Sequence, residues 1–281
     1  MFQLFSRAYK AASLRIVVLL LCLCGLSGLF ATPGFAAASL LDDIFLALRL
    51  DAGPDEQQLS LGATAGISNS PYREYGTRWS LFPLISYEGP KLFVRGTTAG
   101  FKIVNRENFE FAAYGSYNGL EYDDSESDNE RMRRLDDRHA SMLGGLSARL
   151  STPLGQFHAS AGVDMVGNSG GLAGDLGWIF ALDTGVVKIL PEAGIYWQSK
   201  EYTDYYFGVS SRESRKSGLE RYEAGGAVSP YLGLSLNVSL TRHWGLFCKG
   251  ELLFYDREIR KSPMVDKAVY QGLNMGVLYT F

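Results

Sequence analysis

The sequence predicts an all-β protein: a transmembrane antiparallel β-barrel of about twelve strands, with ten as the alternative, preceded by a cleavable signal peptide. Apolar and polar residues alternate with the two-residue period of a strand over most of the chain. The alternating segments are 10 to 14 residues long, which suits tilted membrane strands better than the strands of soluble proteins. Short and long connections also alternate, as expected for the two sides of an outer membrane. We therefore expect the protein in the cell outer membrane of a Gram-negative bacterium.

Residues 1–36 have the three parts of a secretory signal. Three basic residues precede an apolar run of fifteen residues, 16–30, and small residues follow it. The run is shorter than the roughly 20 residues of a bilayer-spanning helix. We expect cleavage after Ala36 or Ala38.

Charge and cysteine content exclude two classes of protein. The signal holds three of the 27 basic residues and no acidic ones, which leaves 24 against 30 and a mature net charge of −6. An acidic exported chain has no electrostatic basis for binding nucleic acid. Only Cys248 remains after cleavage, so an intramolecular disulfide framework is excluded.

Residues 57–281 are predicted to form the barrel, and residues 39–56 are an N-terminal segment or a first strand. Eleven strands are assigned, one of them at 91–104 with Arg95 among apolar residues, whereas bacterial single-chain barrels have an even number. The first loop, Ser68–Arg78, also falls on the wrong side of the membrane for its length. Either Ile44–Leu50 supplies the twelfth strand, or one strand between residues 78 and 120 is wrongly split or joined. A glycine bulge near Gly96 or Gly100 would shift the strand register there. Three long connections are predicted to lie outside the cell: 121–139, 200–227 and 256–267.

The inward faces of the predicted strands carry charges of both signs. In a narrow barrel, side chains fill the interior, so we expect paired charges that hold neighbouring strands together. A narrow polar path for small solutes is the alternative. The residues predicted to line the lumen are Glu110, Arg149, His158, Asp164, Asp175, Lys188, Glu192, Lys249 and Glu251.

Two histidine–serine pairs, His139 with Ser141 and His158 with Ser160, have the spacing of one strand face. Some outer-membrane lipid deacylases use such a pair, and Asp164 is a candidate orienting acid for His158. On a strand, any two polar lumen residues that are two positions apart share one face, so this spacing alone does not indicate catalysis. We therefore predict that the protein is not an enzyme, and a lipid A deacylase is the alternative. Three histidines and no cysteine cluster predict no metal site and no cofactor.

Two predicted outer loops have distinctive compositions. Glu121–Arg138 holds eight acidic and four basic residues, which favours a solvated loop over a Ca²⁺ site because the glycine of an EF-hand is missing. Loop 200–227 combines aromatic rings with arginines, as binding surfaces do. A loop folded into the barrel mouth is an equal alternative. Its candidate partner-binding residues are Tyr205, Tyr206, Phe207, Arg212, Arg215 and Tyr222.

Several motifs resemble the MipA/OmpV family of MltA-interacting outer-membrane proteins over roughly residues 57–281. The most specific is Thr-Asp-Tyr-Tyr-Phe-Gly-Val at 203–209, and further ones lie at 61–66, 217–226 and 262–266. The C-terminus resembles the signal that the barrel assembly machinery reads, with Asn274, Gly276, Tyr279 and Phe281 as its residues.

The resemblance implies an outer-membrane scaffold. Its expected partners are outer-membrane lipid, the barrel assembly machinery, a murein lytic transglycosylase and a murein synthase. It implies no catalytic residue. The main alternative to a scaffold is a small-solute pore.

Overall fold

A computed structural model describes residues 57–281 of the chain. The predicted signal peptide, its cleavage site and residues 39–56, including Ile44–Leu50, lie outside the described residues. None of the helices within the described residues is long and apolar enough to cross a bilayer.

Twelve antiparallel strands form one sheet, which closes into a barrel because the first and last strands pair with each other. Each strand otherwise pairs with its neighbours in sequence. The strands are β1 (Gln58–Ser68), β2 (Arg78–Glu88), β3 (Leu92–Arg95), β4 (Thr98–Arg106), β5 (Phe109–Asn118), β6 (Ser141–Thr152), β7 (Gly155–Asp164), β8 (Leu172–Ile179, continued by Leu182–Asp183), β9 (Val187–Gln198), β10 (Ala227–Ser239), β11 (Trp244–Phe254) and β12 (Val269–Thr280). The predicted fold class and strand number are confirmed.

The predicted strand at 91–104 is wrong, because it is two strands, β3 and β4, joined by a turn at Gly96 and Thr97. Gly96 has a φ of 60°, which is a conformation that favours glycine. The twelfth strand of the described barrel therefore comes from this division. A register shift does occur in this part of the chain, but between Lys102 and Val104.

Dividing residues 91–104 into two strands also changes the side of the membrane on which the first loop lies. Residues 69–77 now fall on the same side as the connections 119–140, 199–226 and 255–268, whereas the other side of the barrel has short turns. Long loops mark the extracellular side of such barrels and short turns the periplasmic side.

The two faces of the wall have opposite chemistry. Along β1, Leu59 and Leu61 point outward and are exposed, whereas Ser60 and Thr64 point inward and are buried. Outward-facing leucines are exposed in the same way on most other strands. An apolar outer surface around a polar interior is the arrangement that lipid on one side requires.

The long outer loops fold over the barrel mouth and form one aromatic cluster, which we call the cap. Its helices are α1 (Lys200–Phe207), α2 (Ser211–Ser217) and α3 (Arg257–Arg260). Tyr72 and Tyr122 meet edge to face with ring centroids 4.8 Å apart, and Tyr202 and Tyr206 lie 5.0 Å apart. Edge-to-face and tilted ring pairs add to the stability that burial provides.

Candidate functional site

The structure places the nine predicted lumen residues on the inward faces of β5 to β11. Inward-facing residues pair with inward-facing residues on neighbouring strands: Glu110 lies opposite Arg149, and Arg149 lies opposite His158. Six of the nine are buried: Glu110, Asp164, Lys188, Glu192, Lys249 and Glu251. Charged side chains that are buried this deeply need partners. Three groups of contacts in the lumen supply partners for several of them.

The first group is a four-residue ion cluster that joins the four consecutive strands β2 to β5. Arg95 hydrogen-bonds to Glu88 through Nε and lies 3.0 Å from Glu110 Oε1 through Nη2. Lys102 Nζ lies 2.9 Å from Glu88 Oε2 and 3.5 Å from the second oxygen of Glu110. All four side chains are buried. Two cations and two anions balance, so the cluster adds no net charge to the lumen.

Of these four residues, only Glu110 is among the predicted lumen residues. A single strand over 91–104 does not reveal which of its residues point inward, and this is why Arg95 is predicted to lie among apolar residues. In the structure its guanidinium lies 4.0 Å from the centroid of the Phe93 ring, on the same inward face. The Gly-Thr pair at 96–97 was the signal for a turn that would have placed Arg95 and Lys102 correctly.

The second group lies across the lumen, where Lys249 Nζ is 2.8 Å from Glu192 Oε2. Gly233 lies between Glu192 and Glu251 in the register. A Cβ at Gly233 would come within 2.7 Å of Glu192 Oε2. A glycine is therefore needed for the carboxylate to extend across the strand toward the lysine.

The third group ties His158 to the wall. Its Nε2 lies 2.7 Å from Asp175 Oδ1 and 3.1 Å from the Tyr231 hydroxyl. Asp164 does not orient His158. It accepts hydrogen bonds from Ser141 Oγ and from the backbone N–H groups of residues 166, 167 and 169, which shape the turn after β7.

The other histidine–serine pair is likewise engaged in structural contacts. His139 is exposed, and its backbone N–H donates to the Tyr205 hydroxyl. Ser141 is buried and donates to Asp164. These contacts account for His158, Ser141 and the backbone of His139.

The six candidate partner-binding residues divide between the interior and the surface of the cap. Tyr206 and Phe207 are buried within it, which is the folded-in arrangement and not an exposed one. Tyr205 and Tyr222 are half-buried, and Arg212 and Arg215 are exposed. Only the last four are available to another molecule.

Tyr205 and Tyr222 line a shallow outer pocket of about 480 Å³. At its base Glu213 accepts a hydrogen bond from Arg138 Nη2 at 2.6 Å and completes a capping box with Ser210 at the start of α2. Burial acts to raise the pKa of Glu213, but the Arg138 hydrogen bond and charge outweigh it and hold the pKa below its ordinary value. The pocket floor is therefore a buried, charged contact between two loops.

The acidic loop is more ordered than its charge suggested. Two 3₁₀ turns, Asp124–Glu126 and Met132–Arg134, fold it back, and Met132 and Leu135 are buried in the cap. Carboxylates of Asp123, Asp124 and Asp137 converge at its exposed edge. The backbone N–H of Asp124 donates to Asp137 at 2.9 Å, so the fold of the loop explains this convergence.

The residues of the C-terminal signal lie on both faces of β12. Asn274 and Gly276 point inward, and a Cβ at Gly276 would meet the Phe247 ring at 2.5 Å. Tyr279 points outward and packs between Trp244, at 5.0 Å, and Phe281, at 4.9 Å between ring centroids. This aromatic group lies at the periplasmic end, where interface girdles form.

Comparisons with known proteins agree with this architecture. The chain is 32% identical over 226 residues to the "MltA-interacting protein" of Escherichia coli (strain K12), covering 80% of this chain and 91% of that one. It is 34% identical to the "Putative outer membrane protein YiaT" of the same strain, covering 84% and 96%. It is 28% identical to "Outer membrane protein OmpV" of Vibrio cholerae, covering 60% and 64%. The family model of the MltA-interacting protein MipA matches residues 61–281. Together with the closed twelve-stranded barrel, this match shows that the chain is an outer-membrane protein belonging to the MipA family.

Proposed function

We propose that the protein is an outer-membrane adaptor that holds a murein lytic transglycosylase and, with it, a murein synthase near the outer membrane. The observation that supports this most is a barrel whose mouth carries the aromatic cap and whose inner wall carries buried, paired charges. Such a barrel offers surfaces rather than a passage. The similarity to a protein named for its interaction with MltA supplies the class of partner.

The periplasmic rim is the surface that we propose for the partner. Murein lies on this side, and the outer loops are folded against one another in the cap. At the rim, Leu154 is 72% exposed at the tip of its turn. The indole N–H of Trp178 donates to the Leu154 carbonyl at 2.9 Å, which fixes the turn. A rigid, exposed apolar side chain is the kind of group that anchors an interface.

Leu182, which is also exposed, lies at the end of β8, next to another periplasmic turn. In that turn the Gly185 N–H donates a hydrogen bond to the Asp183 carboxylate. Arg106 and Glu107 give the rim a polar edge. An apolar centre with a charged border is the usual anatomy of a protein interface.

The exposed side of the cap is the competing contact surface. Tyr205, Tyr222, Arg212 and Arg215 face outward, so they suit a partner outside the cell and not a murein enzyme. One experiment can distinguish the two surfaces, because they lie at opposite ends of the barrel and can be mutated separately.

The test is a pull-down from detergent-solubilised envelopes with three forms of the tagged protein. Wild type should recover a murein lytic transglycosylase, Leu154→Asp should recover much less, and Arg212→Glu should match wild type. Heat-dependent mobility in gels verifies that all three barrels are folded. Recovery of no murein enzyme by wild type would refute the adaptor role. A loss with Arg212→Glu alone would move the contact to the cap.

A further inference from the structure

The barrel wall is incomplete at its outer end between β2 and β5. The hairpin of β3 and β4 turns back at Gly96 and Thr97, so β3 pairs with β2 only at Ser86, Tyr87 and Glu88. The last bond on this edge runs from the Gly96 N–H to the Ile85 carbonyl. Within residues 57–281, no strand pairs with the stretch of β2 from Arg78 to Leu84 on this side.

The sequence of β2 fits an open edge at this place. The polar backbone groups of alternate residues point to the same side of a strand, so Pro83 faces the opening as Ile85 faces β3. Proline has no N–H to leave unpaired, and it is found on strand edges for that reason.

A cleft of about 590 Å³ occupies the opening. Its lining includes Trp79 and Tyr117, which point outward from β2 and β5, and also Ser80 and Phe82, which point inward from β2. Side chains from both faces of a sheet share one cleft only where the sheet is interrupted. The cleft therefore passes through the wall.

Phe82 shows that the opening reaches the inner side. It points inward, opposite Thr64, yet 48% of its surface is exposed, whereas Leu84, the next inward residue on β2, is 2% exposed. A large apolar side chain gains free energy when water is kept from it. An apolar occupant of the cleft would cover Phe82.

Charged residues close the outer end of the cleft. Arg78, at the start of β2, lies 2.8 Å from Glu121 and 3.5 Å from Glu126, both in the loop that follows β5. These ion pairs span the opening above the aromatic residues. Both glutamates are substantially exposed, so the pairs are weak enough to separate.

We propose that this cleft is a lateral window in which a hydrocarbon chain of an outer-leaflet lipid inserts between β2 and β5 and reaches Phe82. The occupant follows from continuity with the lipid-facing surface, because Trp79 and Leu81 flank the window on the outside and are among the most exposed apolar residues. The pairs of Arg78 with Glu121 and Glu126 form a latch that limits entry. The window is independent of any protein partner at the periplasmic rim.

The test places a photoreactive residue at the inner side of the window. The mature protein carrying p-benzoylphenylalanine in place of Phe82, which extends the native ring by a benzoyl group, is reconstituted in vesicles of dimyristoylphosphatidylcholine and irradiated. Mass spectrometry then locates lipid adducts. The same replacement at Leu81, which faces lipid directly, is the positive control. Replacement at Tyr222, an aromatic residue that is half-buried on the outer side of the cap, is the negative control.

Adducts on the acyl chain at position 82, several-fold above those at position 222, are the expected result. The double variant Glu121→Gln/Glu126→Gln should raise the yield at position 82 several-fold and leave that at position 81 unchanged. A yield at 82 equal to that at 222, or adducts on the headgroup only, would overturn the window. An unchanged yield in the double variant would overturn the latch.

Discussion

Arg95 on β3 and Glu110 on β5 form an ion pair across the intervening strand β4, with Nη2 3.0 Å from Oε1. Both side chains are almost completely buried. A buried ion pair adds little stability by itself, because both charges lose their hydration. Its loss on one side is costly, because the remaining charge is left in the interior without its partner.

Replacing Arg95 with alanine should therefore destabilise the barrel strongly. Glu88 and Glu110 would then share Lys102 alone, and we expect the free energy of unfolding to fall by about 3–5 kcal/mol. Denaturant unfolding in vesicles, followed by tryptophan fluorescence, measures the change. Lys200→Ala is the matched control, because it removes an exposed ion pair with Glu223 and should change nothing measurable. Equal effects of both variants would contradict a special role for burial.

The cap should loosen in acid because of Glu213. Arg138 holds the pKa of Glu213 below its ordinary value of 4.5 despite burial, so the ionised form is favoured by folding. That contribution is fully present above about pH 4.5 and is lost as the pH falls through the lower pKa of the folded state. Hydrogen exchange of residues 199–226, corrected for intrinsic rates, should show less protection at about pH 3 than at about pH 7.

Glu213→Gln is the variant that isolates this effect. It should reduce protection of the same segment at neutral pH and shrink the difference between the two pH values. Glu220→Gln, at an exposed position on the same loop, should behave as wild type. An undiminished pH difference in Glu213→Gln would assign the acid response to another group.

Removal of Phe281 should separate assembly in the cell from stability in vitro. Phe281 is 68% exposed. Its ring packs on Tyr279 and its N–H donates one hydrogen bond to the Leu59 carbonyl, so the truncated protein should refold in detergent with nearly unchanged stability. If the C-terminal residues are read by the barrel assembly machinery, its level in the outer membrane should fall several-fold. Normal levels in cells would argue against the signal.

Gly276→Val is the contrasting change on the same strand. The added atoms would meet the Phe247 ring and the Ala63 carbonyl, so refolding in vitro should fail as well. The two variants together distinguish a recognition defect from a packing defect.

The sequence predicted the barrel well because period two is imposed on each strand separately by lipid on one side and a polar lumen on the other. It failed at Gly96 and Thr97, where a turn of two residues leaves the alternation of apolar residues almost uninterrupted. That failure hid Arg95 and Lys102, and with them the cluster that links four strands.

The cap illustrates a different limit. The composition of loop 200–227 is the same whether its rings face water or one another, so the sequence left both arrangements open. The choice depends on residues far away in sequence: Tyr72 donates to the backbone of Tyr206, and Asn118 donates to the hydroxyls of Tyr202 and Tyr206. Contacts between distant loops have no local sequence signature.

Planar-bilayer recordings should show no steady unitary conductance for the wild-type protein. An ion crossing the barrel would have to displace the packed rings of the cap and then pass the clusters around Arg95 and Lys249, where paired charges occupy the lumen. Replacing residues 200–226 with a short glycine–serine linker, together with Glu192→Ala and Lys249→Ala, removes α1, α2 and one ion pair of the lumen and should give openings that wild type lacks. This variant also verifies that the protein inserts into the bilayer. Reproducible conductance steps from wild type would favour the pore, because a passage would then exist beside the ion pairs even with the cap in place.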